Sequence, residues 1–249
     1  MDFFLIFEVS LIIIFILFQS IFGIGLLVFG TPTYLLLGHS FAESLSVLVP
    51  VSITISFYQI FFSKENISDF KFDFFKFCIP SLIIFLFVAL LFFKNDNIKI
   101  LMSLIMIFLA TLNIFNKEKI NNYFKKIFKN YKKLFFILIG AIHGTTNLGG
   151  GFLSLLATHI FFGNKNKIRK CIAYGYFIMG IFQCVVLILS NNFIFKNILI
   201  YYVILTFFLY SLGKKIFERL NLKIFNKTLY FAIFFYGNII LTITLLNFQ

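Results

Sequence analysis

The chain has 249 residues, 61% of them hydrophobic and only 12% charged, with a mean hydropathy of +1.00. A soluble domain is about a quarter charged, so a soluble globular fold is excluded. The net charge of +13 is no sign of nucleic-acid binding, because the 22 Lys and Arg lie almost wholly between apolar runs, where they set membrane topology.

Apolar runs long enough to span a bilayer recur along the chain, and about 20 residues suffice for one crossing. The short alternating segments of a membrane β-barrel do not occur. The expected fold is therefore an all-α polytopic membrane protein. The first run has no basic leader and no small-residue cleavage site, so it is expected to be retained. Cys78, Cys171 and Cys184 are odd in number and lack CxxC spacing. They read as inert apolar thiols, with redox or sulfur-relay chemistry as the alternative. The 41 Phe and the absence of Trp look like compositional drift, which leaves hydropathy unchanged and removes the Trp part of the interfacial belt.

Residues 3–37 form one apolar stretch, too long for a single span, and interrupted by Gly23, Gly25, Gly30 and Pro32. Glycine and proline release backbone groups from the helical ladder, which lipid cannot satisfy. The stretch is expected to fold back at Gly23–Gly25, crossing twice or forming a hairpin within the membrane. Spans follow at 41–62, at 74–93 with Pro80 near its start, and at 98–115. Residues 116–133 are the longest polar segment. The second half then replays the first. A glycine-broken stretch occupies 134–162, and spans follow at 171–189, 197–212 and 228–247. Gly38 matches Gly163, Gly25 matches Gly150 and Gln59 roughly matches Gln183. The chain therefore divides into a first repeat (1–116), a basic cytoplasmic linker (117–133) and a second repeat (134–249).

Charge selects the topology. If each broken stretch crosses once, the basic residues divide 11 to 11 between the two sides. If each makes an even number of crossings, 19 share one side and three the other. The positive-inside rule prefers the second arrangement. It puts both termini outside and makes the halves two inverted repeats of about four to five segments, each beginning with a glycine-broken hairpin.

The motifs resemble those of the TauE/SafE family, the sulfite-exporter-like permeases. The closer copy carries Gly144, Asn147, Gly149, Gly150, Gly151, Phe152 and Gly163, and the other Gly23, Gly25, Pro32, Thr33, Leu35, Gly38 and Ala42. Residues 211–220 resemble the family's segment before the last helix. The first copy lacks the triple glycine, and Ala157 stands where the second has a proline in the family. The resemblance implies a multi-pass protein of a bacterial inner membrane that moves small sulfur-containing anions such as sulfite, sulfoacetate or other organosulfonates.

An anion in mid-membrane must exchange its hydration for fixed donors, and exposed N–H groups at broken helices supply them. The expected substrate-binding set is Gln19, Ser20, Gly23, Gly25, Thr31, Pro32 and Thr33 in one copy. In the other it is His143, Thr145, Thr146, Asn147, Gly149, Gly150 and Gly151. No Lys or Arg lies in these motifs, so a neutral, dipole-built site is expected. His143 reads either as a proton carrier or as a hydrogen-bonded core histidine. His39, His159 and Glu8 read as interfacial, and Gln59 and Gln183 either line the pathway or bridge helices. The expected partners are the lipid bilayer and a small anion, with coupling to protons open. No cofactor or metal is expected. No nucleophile, zinc-helix or nucleotide motif is present, so an enzyme or primary pump is not expected. The alternative is a non-transporting assembly subunit whose glycines serve helix packing, which predicts unbroken helices.

Overall fold

The computed structural model describes residues 3–114 and 118–246. They form ten helices in two sets of five: α1 (Phe3–Phe22), α2 (Leu26–Leu36), α3 (Phe41–Phe61), α4 (Ser68–Phe92) and α5 (Asn95–Ile114), then α6 (Glu118–Thr146), α7 (Gly149–Ile160), α8 (Lys165–Leu189), α9 (Ile198–Arg219) and α10 (Leu222–Leu246). Among the described residues, five helices are long and apolar enough to cross a membrane: α3, α8, α9 and most of α4 and α10. Their outer faces carry exposed Phe61, Leu91, Phe92, Leu189 and Tyr201, as expected of surface turned toward acyl chains rather than water.

Several helices run past the apolar segments that announced them. Residues 68–73 are helical, so Pro80 lies inside α4 rather than near its start. The polar stretch expected as a linker is helical from Glu118 and continues into α6, with a kink at Tyr131 (φ −118°, ψ 24°). Hydropathy marks where lipid begins, whereas Lys and Glu are good helix formers and carry the helix beyond it. Asn116 and Lys117, where the repeat boundary was expected, lie outside the described residues.

Both broken stretches fold back on themselves. Phe29 of α2 packs its ring 4.9 Å from Phe18 and 6.2 Å from Phe15 of α1, so α2 retraces α1. Its return brings His39 within 3.8 Å of Glu8, close to where α1 began. Gly149 likewise lies against Ile139 and His143, so α7 retraces α6. At 11 and 12 residues, α2 and α7 are about 16–18 Å long, at a rise of about 1.5 Å per residue. That is roughly half the ~30 Å hydrocarbon core. The hairpins also share their punctuation. Gly23 and Asn147 close the first arms at positive φ (80° and 62°), and Gly38 and Gly163 end the second arms at 91° and 88°. Asn is among the few side chains that tolerate this region. Ser40 then caps α3 in a capping box with Glu43, and Asn164 caps α8 through the Lys167 N–H. Each of these pairs is offset by 124 or 125 residues, half the chain. By backbone conformation Gly23 pairs with Asn147, whereas Gly25 and Gly150 occupy different places, before α2 and inside α7.

The halves are inverted. Asn95, which opens α5, donates to the His39 carbonyl at 3.4 Å, placing the start of α5 at the Glu8–His39 end. From there α5 runs to the opposite end. That end holds the kinked middle of α6, because Lys132, next to Tyr131, pairs with Asp73 of α4 at 2.6 Å. There, too, Lys170 donates to the carbonyls of Ser63 and Glu65, and Lys165 to those of Phe217 and Leu220. The four basic segments therefore meet at one end of the molecule. The packing obeys the same exchange: α6 lies on α4 as α1 lies on α9, α7 on α5 as α2 on α10, and α3 meets α8 across the centre.

Candidate substrate site

The inner arms α2 and α7, wrapped by α3 and α8, bring polar groups into an apolar core. Asn147 at the tip of the second hairpin donates from Nδ2 to the Thr31 hydroxyl of the first at 2.8 Å. Its Oδ1 accepts from Gln183 Nε2 at 3.2 Å. Gln183 Oε1 lies 3.1 Å from His143 Nε2. A carbonyl oxygen only accepts, so Nε2 carries the proton and Nδ1 is left as an acceptor. Thr31, Asn147, Gln183 and His143 are each fully buried.

The mirror cluster surrounds the first hairpin. Gln19 donates to the Ser52 hydroxyl at 2.8 Å and to Ser56 at 3.3 Å. Gln59 donates to the carbonyls of Gln19 (2.7 Å) and Ser20 (3.4 Å). Gln19 and Gln59 thus stand to one hairpin as His143 and Gln183 stand to the other, 124 residues on in each case. Buried polar groups are normally paired, yet several here have no protein partner among the described residues: Ser20 Oγ, Gln59 Oε1, His143 Nδ1 and the Tyr176 hydroxyl. Neither α2 nor α7 has a side-chain cap at its start. The first-turn N–H groups of a helix lack intrahelical acceptors and carry its positive end. Each hairpin therefore presents uncapped donors inside the protein.

Other expected residues are engaged elsewhere. Thr33 bonds the Tyr236 hydroxyl of α10, and Thr145 and Thr146 bond back to carbonyls of their own helix. Pro32 lies within α2. Gly149, Gly150 and Gly151 are close-packed: a Cβ on Gly150 would sit 1.9 Å from the Tyr176 ring, and one on Gly151 would sit 2.6 Å from Leu109. Protein occupies the space beside this triple glycine.

A cavity of about 310 Å³ opens at the basic end and reaches inward to Gln59, lined also by Arg169, Tyr210 and Lys214. Arg169 is 8% exposed and donates from Nη2 to the Ser20 carbonyl at 2.5 Å. Its guanidinium stacks 4.3 Å over Phe217 and 5.7 Å over Tyr210. The expected neutral site thus has a buried cation beside the first hairpin, since Gly23 packs against the Arg169 stem. The motif-centred reading missed it because Arg169 lies in a basic loop segment and was counted toward topology. The available signal was residue type: it is one of two arginines in a chain that otherwise uses lysine, and only arginine offers a planar donor fork. Ser52 and Ser56, about two turns and one turn before Gln59 on α3, were also missed.

The sulfite exporter TauE/SafE family model matches residues 9–238, a region that includes both hairpin breaks, both glutamine clusters and Arg169. Comparison with curated proteins and with solved structures gave no match. With a family match spanning nearly the whole chain, this multi-pass helical protein belongs to the TauE/SafE sulfite exporter family of membrane transporters.

Proposed function

We propose that the chain is a secondary permease for a small oxyanion, with sulfite, sulfoacetate and related organosulfonates as its substrate class. The observation that carries this reading is the pair of inverted hairpins, each broken at a left-handed residue, each lacking a side-chain cap, and joined by the buried Asn147–Thr31 contact. Donors fixed in a dry interior replace the hydration of an anion without holding it as tightly as a full set of charges would, and conduction needs release as well as entry. The assembly-subunit alternative calls for through-going helices, and the two breaks weigh against it. The site residues we assign are Gln19, Ser20, Thr31, His143 and Asn147, with Gln59 and Gln183 completing their shells. His143 Nδ1 is the group on which a coupled proton would ride.

In this reading the basic end faces the cytoplasm of a bacterial inner membrane and the Glu8–His39 end faces outward, following the positive-inside rule. The test is flux into proteoliposomes across sulfite, sulfoacetate, sulfate and chloride, with and without a proton gradient. Saturable oxyanion flux is the expected result. Flux no greater than in protein-free vesicles for every anion would end the proposal.

A further inference from the structure

We infer that the cavity at the basic end is a loading station for oxyanions, with Arg169 as its specificity-determining residue. The inference rests on the permease reading and adds a second, cationic site to the neutral hairpin layer. Burial of a guanidinium is costly unless its charge and N–H groups are matched. Here Arg169 is 8% exposed, and among the described residues no carboxylate lies within ion-pair distance of it. Its Nε is buried without a hydrogen-bond partner.

The Nε and Nη2 hydrogens lie along one edge of the guanidinium and can grip two oxygens of one oxyanion at once. In this structure a single oxygen, the Ser20 carbonyl, takes half of that edge. Phe217 and Tyr210 hold the plane of the fork, so the second donor stays oriented. Lys64, Arg169, Lys170 and Lys214 outnumber Glu65 and Glu218 around the cavity, giving a positive entrance that concentrates anions.

The geometry gives the station its exit. Ser20 is shared between Arg169 and Gln59, and Gln59 also bonds Gln19. An oxyanion that takes the Arg169 edge displaces the Ser20 carbonyl, which lies in the last turn of α1 just before the hairpin break. Loading is thereby linked to release of the hairpin arm. A spherical anion has no second oxygen for Nε and gains only the charge.

The test compares wild type, Arg169→Lys, Arg169→Gln and Lys214→Gln, using full-length protein. Sulfite binding is measured by calorimetry in detergent, sulfite uptake in proteoliposomes, and chloride serves as competitor. Arg169→Lys keeps the charge but loses the fork. It should raise the half-saturating sulfite concentration about tenfold, with the maximal rate changed less and chloride inhibition unchanged. Lys214→Gln, at the partly exposed mouth, guards against misfolding of the buried variants and should raise it two- to threefold. Sulfite saturation unaltered in all three variants would overturn the inference while leaving the permease reading intact. So would variants that lose folded protein but saturate as wild type. Arg169-dependent binding with no flux of any anion by wild type would instead overturn the permease reading and leave the binding site.

Discussion

Asn147 does two separable things. Its backbone takes the left-handed turn at φ 62°, and its amide ties Thr31 to Gln183. Asn147→Ala removes the amide and leaves at φ 62° a residue that tolerates the left-handed region less well than asparagine, at about 1–2 kcal/mol. The two interhelical bonds add about 0.6 kcal/mol each, a typical value inside a membrane. The total is about 2–3 kcal/mol. Asn147→Gly loses the same bonds but adopts the turn freely, at about 1 kcal/mol. At about 2–4 °C per kcal/mol for a chain of this size, alanine should melt several degrees below glycine in detergent. Transport should sort the variants differently. Both lack the amide, so both should lose most sulfite flux while still inserting in the membrane. Equal melting points would refute the role given to the turn, and wild-type flux in Asn147→Gly would remove the amide from the pathway.

Three further outcomes are expected. Gly140→Ala should lower the melting temperature through close packing alone, because its Cβ would lie 2.2 Å from the Cys78 carbonyl oxygen of α4. Backbone cannot step aside as a side chain can, so a cost of about 1–3 kcal/mol is expected, measured by thermal unfolding of the purified protein. A cysteine at Asn192 should react with an impermeant thiol reagent in intact cells, whereas one at Ser63 should react only after permeabilisation; the reverse pattern would invert the orientation. Glu8→Gln should change stability by less than about 1 kcal/mol, since its pairing with His39 is long and partly solvated, as checked by the same melting assay.

The sequence carried the architecture because lipid imposes strict rules. The two glycine breaks marked the hairpins, and the basic loops fixed the inversion before any contact was known. Helix ends were less legible, as α4 and α6 show: once outside lipid, a polar helix and a polar loop have similar composition. The glycines were legible as breaks but not as to what they face. Gly23 and Gly25 do form an unwound turn, whereas Gly149 to Gly151 admit neighbouring side chains and backbone, a distinction only packing can make. Asn147 and Thr31 could each be found by their motifs, but that they bond to each other, 116 residues apart, could be found only through the fold. Arg169 was hidden by position, since a basic residue one turn into a helix reads first as a topology signal.

The central claim is that the layer between the two hairpins opens to a passing anion. Thr31→Cys, in a protein whose three native cysteines are replaced, puts a thiol where exposure is 0% at rest. If the hairpins part during transport, an anionic thiosulfonate should modify that thiol and stop sulfite flux, and added sulfite should slow the modification. A thiol there that never reacts, in a protein that still transports, would contradict the account.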